Sequence, residues 1–409
     1  MLELVLDFIS VKRVSSPHSL LMKTPTRFSG VLARAKSPVL QPTKSRGFFQ
    51  TIGVLFALAA GASSQAQIVS TWIGGSTGNW SDGAKWNTNP NAPKNGLPSV
   101  GDLYDAVFGV NATVTLTENV EIERLSSTAA LTLQGAFTLD LNEGFDLNSS
   151  AGRTLSSSVV LNLLGGTSTF RGGGNLNMGS GAVLSNHAVL EWETDADFVY
   201  TGSTLPQFNN LSGATFRKTG GTDKTTIPGG YIFNNSGTID IDSGQLELSG
   251  GTYNLNDGTA FTGTGLTRAV SGTFTLSGTL SADQNFEIAG ATLGGTHTLS
   301  GGVWKMAGGA FSGAGTTTIA SGATLELSGG SAKSMSGSRV LDNQGTVIFG
   351  GTAALTLGFG ATLNNSGLFD VQSEADFSYG GSTLPVINNL AGGTFRKSVA
   401  GANETSVGS

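Results

Sequence analysis

The chain has 409 residues, no cysteine, 61 glycines and only 12% charged residues. Glycine is about twice its ordinary usage, yet ten prolines and no strict every-third-residue glycine exclude collagen. The absent cysteine excludes disulfides, thiolate zinc sites, iron–sulfur clusters and thiol nucleophiles, and three histidines leave little room for imidazole chemistry.

Residues 52–62 form an apolar run, IGVLFALAAGA, preceded by Lys44 and Arg46 and followed by Ser64-Gln65-Ala66. A basic region, a short apolar stretch and a small-residue exit make the pattern of a secretory signal. The run falls short of the roughly 20 apolar residues that span a bilayer. Residues 1–66 therefore read as a signal peptide with a long leading region, or as one whose translation begins at Met22. They hold eight Lys/Arg and two acids, so 67–409 keeps 14 basic and 26 acidic groups, a formal charge of −12. An acidic exported body is a poor nucleic-acid binder, which needs clustered cations. No later apolar run is long enough to cross a membrane, so no transmembrane segment is expected in the mature chain.

The opening segment, 67–109, is rich in tryptophan: Trp72, Trp80 and Trp86 are three of the chain's five. Stacked on the apolar faces of sugars, they would make a glycan-contact platform. Buried, they would plug the open end of a repetitive core, which needs an atypical capping unit. The pattern Trp72-x-Gly-Gly, Gly78-Asn79-Trp80-Ser-Asp82, Trp86, Pro98, Gly101-Asp102, Phe108 resembles the opening of large bacterial exported proteins. These carry glycine-rich β-strand repeats of the autotransporter-passenger or filamentous-haemagglutinin-like kind. That resemblance implies a surface or secreted location, and attachment through a C-terminal outer-membrane barrel or anchor.

From about residue 110 the chain alternates apolar and polar residues in short runs, as in Thr-Ile-Asp-Ile at 238–241 and Gln-Leu-Glu-Leu at 245–248. Such alternation marks half-buried strands. Glycine, serine and asparagine punctuate the runs every seven to twelve residues, supplying turns. A longer repeat lies above this: residues 170–218 match 349–397 without a gap at an offset of 179. Fixed-period strands with glycine corners predict a parallel β-helix, an all-β solenoid over 110–409. At about 20 residues and 4.8 Å per coil, some fifteen coils would stack to near 70 Å. Asn209-Asn210, Asn234-Asn235, Asn364-Asn365 and Asn388-Asn389 fit its corners as hydrogen-bonded ladders. Tandem antiparallel β-sandwich modules are the alternative.

The carboxylate pairs Glu191/Glu193, Asp195/Asp197 (echoed by Glu374/Asp376) and Asp240/Asp242 are spaced i, i+2, which puts both members on one side of a strand. A held pair of this kind can hydrolyse glycosides, but it is also what an exposed strand face carries. Arg217-Lys218 recurs as Arg396-Lys397, and a unique active centre would not be copied with the repeat. His187 and His297 lie in no recognisable catalytic motif, and calcium-roll, phosphate-loop and nucleophile-elbow motifs are missing. Gly172-Gly173-Gly174 reads as a turn.

The expectation is a non-enzymatic, adhesin-like surface or extracellular solenoid with no catalytic, cofactor or metal site. Its partners would be extracellular polysaccharide or another cell surface. A polysaccharide lyase or glycoside hydrolase on the same scaffold, and a carbohydrate-binding module centred on Trp72, Trp80 and Trp86, are the alternatives.

Overall fold

The computed structural model describes residues 67–399 and 404–408, so the expected signal segment lies outside them. Short strands joined by turns fill the described chain, with one 3-10 turn at Gly83–Lys85. Each strand forms where the alternation allows one side to be buried. In Val189–Glu193, Leu190 and Trp192 point inward while Val189, Glu191 and Glu193 face out. Strands end where the backbone must turn sharply. After Arg171 the chain turns at Gly172, whose φ is +82°, and a Cβ there would lie 2.3 Å from the Ser149 carbonyl oxygen.

Strand pairing is parallel throughout the described ladders, apart from an isolated antiparallel bridge between Trp72 and Trp86. The chain is therefore a parallel β-solenoid of about 13 stacked turns, and the antiparallel-sandwich alternative falls. The turns are fewer than the fifteen expected because most coils are longer than 20 residues. Thr292 to Ala310 is 18 residues, whereas Val189 to Thr215 is 26.

Each coil contributes to three faces in a fixed order. The first face stacks Thr167–Arg171, Val189–Glu193, Thr215–Gly220 and Thr238–Ile241. The second stacks Arg153–Leu155, Leu176–Met178 and Phe198–Tyr200, then resumes at Lys224–Pro228 and Gln245–Leu255. The third stacks Val160–Leu163, Val183–Asn186, Gln207–Asn210 and Ile232–Asn235. Inside, large side chains stack along the axis: Phe170 on Trp192 at 3.9 Å, Phe208 on Phe233 at 5.0 Å and Tyr253 on Phe274 at 4.5 Å. Burial of these apolar columns is the main stabilising term, at roughly 25 cal/mol per Å² removed from water.

The 179-residue repeat is out of phase with the coils. From the Phe170 strand to the Phe349 strand the chain makes eight coils and one further face. Phe170 thus lies on the first face and Phe349 on the second, Phe198 on the second and Phe377 on the third. Asn210 lies on the third face and its counterpart Asn389 on the first. The second copy is turned by one face about the axis.

Candidate functional site

Trp72 and Trp86 meet edge to face at 5.1 Å, Trp80 lies 5.0 Å from Trp86, and all three pack on Phe108 at 5.4–6.1 Å. No ring is more than 3% exposed. Their indole N–H groups donate inward: Trp72 to the Gly75 carbonyl, Trp80 to Pro93 and Trp86 to Trp80. The segment is a cap made by a long first coil, in which Gln67 pairs with Leu103 and Thr77–Asn79 with Thr113–Thr115. As folded, the three indoles offer a sugar no accessible ring face, because all three are buried.

The acidic pairs hold neighbouring coils together. Asp240 accepts from Arg217 at 2.7 Å, with Asp242 at 3.9 Å from the same guanidinium. Arg171 lies between Asp146 at 3.0 Å and Glu193 at 3.7 Å. Asp195 takes the Lys218 ammonium at 2.8 Å, and Asp197 accepts the Thr226 backbone N–H at 2.7 Å. In the second copy Asp376 accepts from the Ser406 backbone N–H at 2.7 Å, which holds the Asp376 carboxyl below its ordinary pKa.

Several cations sit inside the solenoid, a feature the composition does not announce. Lys218, Lys333 and Arg339 are fully buried and Arg153 nearly so. Lys218 also donates to the Thr194 carbonyl at 3.1 Å, and Lys333 to Ser331 at 3.0 Å. Arg153 donates to the carbonyls of Leu147, Ser149 and Gly174 while its guanidinium lies 3.9 Å over the Phe170 ring. Burial pushes its pKa down to about 10. These side chains satisfy turn carbonyls that face inward and would otherwise lack donors. The signal was present in the strand phase: Lys218 is two residues from the inward Phe216, so alternation already places it inside.

His187 is exposed. His297 is buried, with Nε2 3.2 Å from Thr317 Oγ1 and Nδ1 3.5 Å from the Arg339 guanidinium. Burial first, and Arg339 second, push its pKa down to about 3, so the ring is neutral. Among the described residues no group of three or more His, Asp or Glu side chains is placed to hold a metal ion.

The outward rows differ from face to face. On the second face Glu247, Arg268, Glu287, Lys305 and Glu326 stack in register with alternating sign. Arg268 lies 3.4 Å from Glu247 and 2.9 Å from Glu287. On the first face Glu191, Arg217 and Asp240 stack likewise. On the third face the register runs Ser185, Asn209, Asn234, Asn254, Thr275, without a charge.

These features define the class: a capped, three-faced parallel β-solenoid whose polar residues are arranged by coil. No protein-family model matches the chain, and no curated protein or solved structure matches it. Among the described residues no helix is long and apolar enough to cross a membrane.

Proposed function

We propose that this chain is a non-enzymatic, exported structural protein of the cell surface or extracellular space, an adhesin-like β-solenoid that works through reach and through its outward rows. The observation that carries this reading is the use of polar side chains along the axis. Acidic residues that could have formed a hydrolytic pair instead accept from guanidinium, ammonium or backbone N–H groups of adjacent coils. Such a body stacks by nearest-neighbour interfaces and is extended by adding coils. The signal-like segment and the resemblance of the opening to bacterial exported repeat proteins support the location.

The test uses the full chain in a bacterial host with an antibody to it. Fractionation and protease shaving of intact cells should release solenoid fragments from the surface or the medium. Cytoplasmic retention, or release of reducing ends from a polysaccharide panel by the purified chain, would overturn the proposal.

A further inference from the structure

The third face is the only one of the three that presents an unbroken uncharged surface over the five coils from Val183 to Thr275. Two outward rows cross it in register. One is Val183, Gln207, Ile232, Thr252, Thr273 and the other Ser185, Asn209, Asn234, Asn254, Thr275. Over the overlapping coils the first face carries Glu191, Arg217 and Asp240, and the second carries Lys224, Glu247 and Arg268. Uncharged side chains at all ten positions set this face apart.

The amides on it are already oriented. Asn254 donates to Asn234 at 2.7 Å, Asn234 to Asn209 at 2.8 Å, and Asn209 to Ser185 Oγ at 3.3 Å. Each bond runs from the later coil to the earlier one. In this ladder Asn209 and Asn234 each retain a second N–H and a second oxygen lone pair. Half-buried in the row, they direct these toward solvent at the coil spacing, about 4.8 Å. The neighbouring row, two residues or roughly 6.6 Å away along the strand, supplies the apolar surface of Val183 and Ile232 and the methyls of Thr252 and Thr273. The face thus sets amide donors and acceptors at the Asn209, Asn234 and Asn254 steps beside apolar contacts at the Val183, Ile232, Thr252 and Thr273 steps.

We infer that this face binds a neutral, linear, β-linked glycan laid along the solenoid axis. Such a chain repeats hydroxyls along its edges and C–H surface on its ring faces, with a rise per sugar close to one coil. It carries no charge, so it does not need the counter-ions that the other two faces supply. A fixed amide row loses little side-chain freedom on binding, which favours affinity. The inference deepens the surface-solenoid reading by naming a partner class and a face, and it rests on that reading only for the face being displayed.

The full chain should be slowed in native gels containing hydroxyethyl cellulose, xyloglucan or laminarin, and the shift should persist in about 0.5 M NaCl, where exposed ionic contacts are screened. Asn209→Ala with Asn234→Ala should weaken it about tenfold, as loss of one or two hydrogen bonds predicts, while the thermal midpoint stays within a few degrees. Thr252→Glu, which places a charge on the face, should abolish the shift, and Thr298→Ala on the first face should leave it intact. No retardation by any of the three neutral glucans overturns the inference. So does retardation by dextran sulfate alone, or equal binding by Thr252→Glu. Protease shaving reports display separately, so a displayed chain that fails to bind sinks this inference and leaves the surface reading standing.

Discussion

Asn210 donates its side-chain N–H to Asn235 Oδ1 at 2.7 Å inside the solenoid, while the adjacent Asn209 accepts from Asn234 at 2.8 Å on the outside. The two ladders run in opposite directions along the axis. The second copy keeps the opposition, with the buried Asn365 donating to Asn389 at 2.7 Å and Asn388 donating to Asn364 at 2.9 Å. Opposed rows of amide dipoles offset one another. The inner row also caps the corner, since Asn210 donates to the Thr238 carbonyl at 3.0 Å and Asn186 to Thr215 at 2.9 Å.

Asn210→Ala should therefore be costly. It leaves Asn235 Oδ1 without the Asn210 donor and removes the acceptor of Asn186, both at buried positions, and it leaves the part-buried Thr238 carbonyl without its side-chain donor. About 3 kcal/mol of destabilisation is expected, against less than about 1 kcal/mol for the half-exposed Asn209→Ala. Urea unfolding of the two variants decides it. Equal losses would mean that the inner ladder is no more than packing.

The cap sets a second expectation. All five tryptophans are buried to 3% exposure or less, so emission from the folded chain should be blue-shifted and weakly quenched by iodide. Trp86, at the centre of the cap against Trp72, Trp80 and Phe108, should cost about 3–5 kcal/mol when truncated to alanine. A red-shifted, readily quenched fraction in the native chain would contradict the closed cap.

Gly172 and Gly173 separate conformational need from mere glycine richness. Alanine at Gly172 must adopt a positive φ and meet the Ser149 carbonyl, the same oxygen that accepts from Arg153 at 2.9 Å. A Cβ at Gly173 meets nothing within 4 Å. Gly172→Ala should lose about 2 kcal/mol or more, and Gly173→Ala less than about 0.5 kcal/mol, the range of ordinary surface changes. Matching melting curves for the two would sink the assignment of Gly172 as the turn.

Much of this architecture was legible because side-chain alternation and stacking are local. Thr238–Ile241 declares its strand by alternation, and the paired asparagines declare their ladders by recurrence. The phase of the long repeat was not legible. It depends on coil lengths that, beyond the cap, vary from 18 residues at Thr292 to 26 at Val189 through turns of different size, and nothing in an offset of 179 reveals that it ends one face further round. Strand phase places Lys218 inside, but phase alone does not say what partners it, and cations rarely go inside. What compensates its burial comes from Thr194 and Asp195, more than twenty residues earlier and one coil away. The continuation of the second copy past Lys397 is likewise a matter of contacts. Ser406 reaches Asp376 as Thr226 reaches Asp197, and Thr405 reaches Ser373 as Thr225 reaches Thr194.

The buried His297 makes stability depend on pH, with a sign that follows from its environment. Unfolded, an imidazole titrates near 6.5. Folded, burial and the Arg339 guanidinium hold it down to about 3. Between those values the unfolded chain binds a proton that the folded chain refuses, so its contribution is present above pH 6.5 and is lost as pH falls toward 3. The slope is about 1.4 kcal/mol per pH unit, or roughly 2 kcal/mol between pH 6.5 and 5. His297→Leu should remove that slope. It also removes the Thr317 and Arg339 contacts, so stability at pH 7 should drop while its pH dependence flattens. Denaturant midpoints of both proteins at pH 5, 6 and 7 give the comparison. Parallel curves would show that His297 titrates in the native state as it does in the unfolded chain, and that the Arg339–His297–Thr317 cluster does not exist as described.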